Sequence, residues 1–421
     1  MTNASDSFSI HTFRPYRGLK RAYVQQEDGA AGVTEETAAP VVPQGVTASL
    51  KPLGEAELAI DADNAEVTPF DVEALSVDPQ AKAYFDRHGI SSLHKAFSVA
   101  NILHTHKNVK EAAIIYGLGF RMHSKHSAQH PSAATLLQLR LLCMLKAGLP
   151  LPRREVDILR TYNTPLAKYI EGVEMAWSGQ DGREALLHMG NAYEEFYTGE
   201  EIDCRYLEIA TRCSNNLFGK SPEEGKSPTI PRNIFMYFDG EMSEKVQENF
   251  TYHSNISGFN FKSFNKEEAQ EWLYQNYGVE ARSLFLNMRH PAEATDFLRV
   301  HVTQIYGGWW MDADIRLQDN NAIEFLESQK SDNVFFTEDN YFVHNNFYGT
   351  VSNSSIGEDC LLSLYRNSYK YHDLYTAHKT GSGIFNRALN RRVYRTLQGV
   401  SVKDDVQIYD AAVFDQLIDS L

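Results

Sequence analysis

Cysteine is scarce in this chain, and the few cysteines present show no framework spacing. The 421 residues contain four of them, which are Cys143, Cys204, Cys213 and Cys360. No two form a Cys-x-x-Cys pair, the spacing found in many zinc and redox sites. We interpret them as reduced thiols, which excludes a small disulfide-stapled scaffold as the class of protein.

Positive charge and long apolar runs are also in short supply. Lysine and arginine total 40 against 55 acidic residues, which gives a formal net charge of −15 and a pI near 5.5. This balance argues against nucleic acid or an anionic membrane surface as the main partner. No apolar stretch has the length of a membrane span, and the start of the chain lacks the core of a signal peptide. We therefore expect no integral membrane segment.

The length of the chain predicts two or three domains, and composition divides it into three parts. Residues 1–65 contain few large apolar side chains, so we expect a flexible tail there. Residues 66–220 show helical periodicity, for example between Val109 and Tyr116. Residues 228–421 alternate strand and helix patterns, which favours a mostly parallel, three-layer α/β sheet. The sequence therefore predicts an α/β domain preceded by an all-α helical domain.

The most informative stretch runs from Gln304 to Ile315 and ends a strand with two aspartates. It reads QIYGGWWMDADI, in which a helix stops at a glycine pair and an apolar strand leads to Asp312 and Asp314. Hard cations such as Mg²⁺ and Mn²⁺ bind carboxylate oxygens together with phosphate oxygens of a substrate. Because open α/β sheets bind ligands at the carboxyl ends of their strands, the pair predicts a clamp for a metal-bound phosphate. An isolated Asp-x-Asp also occurs in ordinary surface turns.

A second pair of charged residues lies on the helix predicted just before this strand. Pro291 and Glu293 suit the first turn of that helix, and Gly307 suits the residue after its end. Asp296 and Arg299 are three residues apart and therefore share a helix face. One interpretation is an exposed ion pair, and the other is a carboxylate and a guanidinium aimed at sugar hydroxyls.

Three blocks of the chain resemble the DXD-containing glycosyltransferases related to the Och1-type mannosyltransferases and, more distantly, the large clostridial glucosylating toxins. Residues 230–240, IPRNIFMYFDG, resemble the first strand of that family, and residues 258–273 resemble its second strand and helix. Residues 295–315 resemble its S-D-x-x-R … GG-x-Y-x-D-x-D block, the most specific of the three. The likeness covers roughly the last 190 residues and implies the GT-A nucleotide-sugar fold.

The resemblance also implies a role for individual residues. Asp312 and Asp314 would hold a divalent cation, Mn²⁺ or Mg²⁺, together with the diphosphate and ribose of the nucleotide. Asp296 and Arg299 would hold the donor sugar and are the candidate catalytic residues. Phe238 stands where many relatives have a tryptophan near the nucleotide base, and a core phenylalanine is an equal interpretation.

Two later stretches resemble the family less closely. Asn345 and Asn346 lie in a segment that is similar to an Asn-containing strand of the family and that also has the composition of a turn. The segment 380–383, TGSG, resembles the family's T-G-P loop with serine in place of proline. Relatives place a further metal ligand and a tryptophan near the C-terminal edge of the site, whereas this chain has no tryptophan after Trp310.

The function implied by the resemblance is metal-dependent glycosyl transfer. We expect a hexosyltransferase that moves a sugar from a UDP- or GDP-sugar to a glycan or protein acceptor, with retention of the anomeric configuration as in the family. The helical region shows no catalytic spacing, so we expect it to recognise the acceptor or a partner. Golgi relatives carry a membrane anchor that this sequence lacks, so we expect a cytoplasmic, bacterial enzyme or one secreted into a host cell as an effector.

Two other classes of function stay open at this point. A haloacid-dehalogenase-like phosphatase also uses Asp-x-Asp after a strand, but Arg316 stands where its usual pattern has threonine or valine. A non-catalytic interaction protein with a degenerate sugar-nucleotide domain is the stronger alternative, favoured by Phe238. Hydrolysis of UDP-sugars in the presence of Mn²⁺ would distinguish an enzyme from such a scaffold.

Overall fold

The computed structural model describes residues 67–123, 131–213, 217–218 and 227–421. They form two compact units, one ending at Thr164 and the other extending from Pro165 to Leu421. The expected flexible tail, residues 1–65, lies outside the described residues. The boundary between the units falls inside the stretch 66–220, so the later helices of that stretch fold with the sheet. The division of the chain into functional domains stays a prediction.

Among the described residues of the first unit, all regular secondary structure is helical, as predicted. Its helices are α1 (Pro69–Leu75), α2 (Pro79–His88), α3 (Leu93–Thr105), α4 (Val109–His123), α5 (Ala133–Lys146) and α6 (Arg153–Tyr162). The apolar face of α4 is buried, with Ala112 and Tyr116 fully enclosed. Arg140 on α5 donates to Glu155 on α6 through hydrogen bonds of 2.8 and 3.1 Å, and this buried ion pair joins the two helices.

The second unit begins with helices and continues with alternating strands and helices. Its helices are α7 (Thr164–Trp177), α8 (Gly182–Met189), α9 (Glu201–Cys213), α10 (Glu244–Ser254), α11 (Lys266–Leu286), α12 (Pro291–Tyr306), α13 (Asn320–Ser328), α14 (Ser355–Lys370), α15 (Thr376–Lys379), α16 (Ser382–Leu397) and α17 (Ala411–Leu417). Its strands are β1 (Asn233–Tyr237), β2 (Asn260–Phe264), β3 (Gly308–Met311), β4 (Ile315–Leu317), β5 (Asn333–Phe336), β6 (Phe347–Thr350), β7 (Val406–Tyr409) and β8 (Ile418–Ser420). Within the described ranges, no helix combines the length and apolar character needed to cross a membrane.

Six of the described strands form one sheet in the order β2-β1-β3-β6-β5-β7. β1 pairs in parallel with β2 and β3, and β5 pairs in parallel with β7. β6 runs antiparallel to both of its neighbours, because it follows β5 through a loop without the crossover helix that a parallel connection needs. β4 and β8 form a separate antiparallel pair. The sheet is therefore mostly parallel, as the alternation of elements predicts.

Side chains of the sheet alternate between two helix-covered faces. On one face, Ile234, Trp309 and Phe347 join a buried core with residues of α10, α13 and α17. On the other face, Tyr348 bonds Thr303 on α12 over 2.8 Å and packs on Phe385 of α16. Helices thus cover both faces, and the predicted α/β class is confirmed.

Two glycines make the sharp turn from α12 into β3. Gly307 has φ +62°, and a Cβ there would lie 2.6 Å from the backbone nitrogen of Ser352. Gly308 has φ +119°, and a Cβ there would lie 2.7 Å from the carbonyl oxygen of Asn233. Any other residue would be strained and would collide with backbone. The pair therefore lets the strand join β1 directly after the helix ends.

Buried charge joins the helices of residues 165–213 to the helices beside the sheet. Arg387 on α16 is fully buried and donates to Asp203 on α9 over 2.8 Å. Arg391 donates to Glu194, in the short 3-10 helix Ala192–Glu195, over 2.6 Å. A buried arginine without its carboxylate is costly, which explains why these helices fold with the sheet.

Candidate functional site

The strand order contains a switch point between β1 and β3. From β1 the chain passes through α10 to β2 on one side, and then through α11 and α12 to β3 on the other. In open α/β sheets, ligands bind in the crevice that such a reversal opens at the carboxyl ends of the strands. Phe238 follows β1 and Asp312 follows β3 at this edge, so these two strand ends define the candidate site.

α12 brings Asp296 and Arg299 to this edge as buried side chains. His290 caps the helix by accepting a hydrogen bond of 3.1 Å from the backbone N–H of Ala292, and Pro291 occupies the first turn. Asp296 is only 5% exposed and Arg299 only 2%. The interpretation as an exposed surface ion pair is therefore wrong, because both side chains lie inside the protein.

Arg299 bridges two carboxylates from different elements. Its Nη2 lies 3.0 Å from Oδ1 of Asp296 and 2.9 Å from Oδ1 of Asp312. Its Nη1 donates to the carbonyl oxygen of Asn345. The guanidinium also lies 5.6 Å from the ring centre of Trp310, whose indole N–H donates to Asp312 over 2.8 Å. The planar fork of arginine suits such a bridge, and the structure thus brings Asp296, Arg299, Asp312 and Asn345 together.

Asp296 is held from a second side by the loop that precedes α16. Thr380 donates through Oγ1 to Oδ2 of Asp296 over 2.9 Å, and Asn345 donates through Nδ2 to Oδ1 over 2.8 Å. Ser382 donates to the amide oxygen of Asn345 over 3.1 Å. All four side chains are buried. The carboxylate therefore has a fixed orientation, with both oxygens hydrogen-bonded.

Burial changes the proton affinity of both carboxyl groups. It raises the pKa of Asp296 to about 7, although Arg299 and the hydrogen bond from Thr380 act in the opposite direction. Burial likewise raises the pKa of Asp312, while Arg299 and Trp310 lower it. Asp296 thus changes its charge close to neutral pH. Such a shift is typical of functional sites, although buried structural ion pairs also produce it.

The turn after β3 presents an accessible carboxylate. The backbone N–H of Asp312 donates to the carbonyl of Asn346 over 2.9 Å, and that of Ile315 donates to the carbonyl of Asp312 over 3.3 Å. The Asp312 side chain is 22% exposed, and Asp314 is exposed. Asn346 is buried, and its Oδ1 has no hydrogen-bond partner among the described residues. Asp314 therefore lies at the protein surface, while Asp312 belongs to the buried cluster.

Phe238 is half-buried just after β1. Its backbone N–H donates to the carbonyl of Phe264 over 3.0 Å, and its ring packs against the core that includes Phe250 of α10. This contact matches the interpretation of Phe238 as a core residue. A role beside a nucleotide base stays a prediction.

Oxygen ligands for a hard cation are present, but in small number. Among the described residues, no three His, Cys, Asp or Glu side chains come together as a metal site. Asp312 and Asp314 supply two carboxylates, and both oxygens of Asp312 accept from Arg299, at 2.9 and 3.1 Å. A Mg²⁺ or Mn²⁺ ion at this turn would take its other positions from phosphate oxygens and water, as such ions commonly do. Asp312 and Asp314 therefore suit a cation that arrives with a phosphate substrate. They do not suit a cation whose ligands all come from the protein.

Sequence reasoning did not single out Thr380, Ser382 or Trp310 as residues of this cluster. The TGSG segment resembles the T-G-P loop of the family, but this resemblance does not show that Thr380 contacts Asp296. The two residues are 84 positions apart. No local spacing reports such a contact. The position of Trp310 beside Asp312 was predictable, because alternation along a strand places residues two apart on the same side.

A buried ion pair supports the same loop from behind. Lys379, the last residue of α15, lies 3.0 Å from Glu293 on the first turn of α12, and both side chains are buried. Thr376 also donates to Glu293 over 3.2 Å. The loop that holds Asp296 is thus fixed to the helix that carries Asp296.

Comparison with known proteins gives a distant structural likeness. No family model matches the chain, and no curated protein matches it. The chain is similar to a solved structure described as "PaToxG Glycosyltransferase", with 15% sequence identity and a TM-score of 0.34 over 47% of this chain and 87% of that chain. At this distance the likeness carries no argument, so the assignment of the fold rests on the strand order and the helix-covered faces.

Proposed function

We propose that the protein is a glycosyltransferase that uses a nucleotide-sugar donor. The observation that carries the proposal is the buried Arg299, which bridges Asp296 and Asp312 at the switch point of a mostly parallel sheet. Carboxylates accept hydrogen bonds from sugar hydroxyls, and a guanidinium fork suits hydroxyl and phosphate oxygens. The resemblance of residues 230–315 to DXD-containing glycosyltransferases of the GT-A fold supports the same proposal.

In the proposed complex, residues near the two strand ends bind different parts of the donor. Asp312 and Asp314 would hold Mn²⁺ or Mg²⁺ with the diphosphate of a UDP- or GDP-sugar. A cation bound there would neutralise charge that develops on the departing diphosphate. Asp296, Arg299 and Asn345 would orient the sugar, with Asn346 and Phe238 nearer the nucleotide.

We propose transfer with retention to a glycan or protein acceptor, as in the family that the sequence resembles. The positive charge of Arg299 lies beside Asp312, so it is placed to stabilise a departing diphosphate without a covalent enzyme intermediate. The anomeric configuration of the first product, read by proton NMR before mutarotation, tests this part of the proposal. An inverted product would overturn it.

Removal of the carboxylates of Asp312 and Asp314 tests the proposal directly. The double variant Asp312→Asn with Asp314→Asn should lose Mn²⁺-dependent binding of UDP and GDP in titration calorimetry, because amide oxygens carry no charge to balance the cation. The control is Glu324→Gln, which removes an exposed negative charge on α13 outside the cluster. Nucleotide affinity that is the same in the double variant and in the wild type would overturn the proposal.

A hydrolysis assay separates an enzyme from a non-catalytic sugar-nucleotide scaffold. Nucleotide sugars that bind the folded protein raise its apparent stability, so a thermal-shift screen with Mn²⁺ selects the donor. The selected donor should then be hydrolysed slowly in the absence of an acceptor. Binding with no release of free sugar would favour the scaffold.

A further inference from the structure

The turn that carries Asp314 is held by a side chain that lies in no recognised motif. Asn249 on α10 is fully buried. Its Nδ2 donates to the carbonyl oxygen of Ala313 over 3.1 Å and to that of Ile315 over 2.8 Å. These two residues flank Asp314. One amide group therefore ties both sides of the exposed carboxylate to a helix.

The same turn is held from its other side by the last strand. The backbone N–H of Leu421 donates to the carbonyl of Asp314 over 2.9 Å, next to the pairing of β4 with β8. The carbonyls of residues 313, 314 and 315 thus all accept hydrogen bonds. The backbone beneath Asp314 is fixed while its side chain stays exposed.

Asn249 is itself anchored one helical turn further along α10. His253 is fully buried, and its Nδ1 lies 2.9 Å from the carbonyl oxygen of Asn249. Its Nε2 accepts from the backbone N–H of Leu317 over 3.4 Å. Burial lowers the pKa of His253 to about 4, so the neutral ring can donate through Nδ1 and accept through Nε2. α10 therefore contacts β4 and the preceding turn at successive points.

The amide nitrogen of Asn249 explains why an asparagine occupies this position. Its Oδ1 is buried and has no hydrogen-bond partner among the described residues, and a buried acceptor in that state lowers stability. An aliphatic side chain would avoid this cost but would leave the carbonyls of Ala313 and Ile315 without their donor. The two hydrogen bonds to the turn are therefore what an asparagine supplies at this position.

We propose that Asn249 is a positioning residue that holds Asp314 in the orientation needed to bind a metal-bound diphosphate. The inference rests on the proposed function, because Asp314 matters for binding only if the site takes such a ligand. Groups that orient metal ligands from behind commonly change metal affinity by 10–100-fold when removed. Asn249 would act in this way through the backbone on either side of the ligand.

The test compares Asn249→Leu with a matched control, Asn333→Leu. Asn333, at the start of β5, is also a fully buried asparagine. Its Nδ2 donates to the carbonyl of Asp405 over 3.1 Å, and its Oδ1 accepts from the hydroxyls of Thr350 and Ser354, each over 2.6 Å. Both variants lose buried hydrogen bonds. Amide hydrogen exchange should become faster across residues 309–317 in Asn249→Leu and should keep the wild-type rate there in Asn333→Leu. Unchanged exchange in Asn249→Leu would overturn the proposed hold on the turn.

Titration with MnCl₂ and UDP gives the second measurement. UDP affinity in the presence of Mn²⁺ should fall about tenfold or more in Asn249→Leu and should be unchanged in Asn333→Leu. In an Asp314→Asn background, Asn249→Leu should cause no further loss, because the carboxylate that it positions is already gone. A further loss of equal size in that background would show general destabilisation and overturn the inference.

Absence of Mn²⁺-dependent binding in the wild type would overturn the proposed function, whereas wild-type binding retained by Asn249→Leu would overturn this inference alone.

Discussion

At the scale of single residues, the candidate site depends on how the guanidinium of Arg299 is shared between two carboxylates. Arg299 lies within 3.0 Å of carboxylate oxygens from both Asp296 and Asp312. Two buried carboxyl groups without that cation would repel each other and would bind protons more strongly. The shape of the guanidinium therefore matters as much as its charge.

Replacement of Arg299 by lysine tests the importance of this shape. Arg299→Lys keeps the charge but loses the planar fork, so transfer should slow by roughly 10- to 100-fold, the effect of losing one charged hydrogen bond. UDP affinity should survive, because Asp314 is unchanged. The measurements are kcat for transfer and Kd for UDP, with Arg232→Lys, an exposed residue paired with Glu327, as the control. Equal losses of sugar and nucleotide affinity would contradict the role assigned to Arg299.

The buried carboxyl of Asp296 predicts a particular dependence of stability on pH. Its pKa in the folded protein is about 7 against an ordinary value of 3.8, so between these values the folded protein binds more protons than the unfolded chain. Its contribution to stability is therefore lost as pH rises from about 4 to about 7. Asp296→Asn is neutral throughout and should remove that loss, as measured by urea unfolding at several pH values.

The comparison must be made between variant and wild type. His253 and His301 are buried with pKa values lowered to about 4, so they make the protein more stable as pH rises from about 4 to 6.5. Their effect opposes that of Asp296 in the raw curve and cancels in the difference. Asp415→Asn, at an exposed position on α17, should leave the pH dependence as it is in the wild type.

At the scale of elements, the segment formed by α12, the glycine pair and β3 sets the geometry of the site. Its residues were predictable because proline and glycine mark the helix ends and an apolar run marks the strand. The helix runs from Pro291 to Tyr306 and the strand from Gly308 to Met311. The partners of Asp296 were not predictable, since Asn345 and Thr380 reach it from distant elements with no local spacing. Asn249 escaped notice for the same reason.

The glycine at the start of β3 should be irreplaceable. Gly308→Ala forces a positive φ on alanine and brings its Cβ to 2.7 Å from the carbonyl of Asn233. We expect a loss of more than about 1 kcal/mol of unfolding free energy, measured by urea denaturation. Gly399→Ala is the matched control, because Gly399 also has a positive φ but its Cβ would meet nothing within 4 Å. Equal losses would show that backbone strain alone, and not close packing against β1, determines the cost.

At the scale of the whole molecule, the chain contains two compact units, and only the second holds the candidate site. That unit includes the helices of residues 165–213 as well as the sheet. The sequence grouped those helices with the earlier ones, because apolar periodicity shows that a helix exists but not what it packs against. The contacts that decide are buried charges such as Asp203 with Arg387, which lie 184 positions apart.

Truncation at two positions tests this organisation. A protein that starts at residue 165 should unfold cooperatively and should bind donor, because the unit retains its buried ion pairs. A protein that starts at residue 227 lacks Asp203 and Glu194. The pair of Arg387 with Asp203 is fully buried, so its loss should cost about 3–5 kcal/mol, and Arg391 also loses Glu194. Thermal unfolding and UDP titration check both. A stable, UDP-binding protein from residue 227 would refute the structural role of these helices.

The place of the first unit in acceptor choice stays a prediction with its own measurement. The helical stretch 66–220 is expected to recognise the acceptor, and a protein starting at residue 165 lacks a large part of it. The ratio of sugar transfer to donor hydrolysis should therefore be lower for that protein than for the full chain. The full chain without residues 1–60 serves as the control and should keep the ratio of the wild type. An identical ratio in all three would place acceptor recognition within the second unit.

The position of Trp310 also makes the candidate site optically visible. Its indole is fully buried, donates to Asp312 and lies beside the guanidinium of Arg299. The chain has four tryptophans, so replacing Trp177, Trp272 and Trp309 by phenylalanine leaves one emitter, located at the cluster. Any change in the charge of Asp312, whether by protonation or by a bound cation, alters the electric field across that ring. The fluorescence wavelength of this single residue then reports the electrostatic state of the site in real time, without a label or a coupled assay.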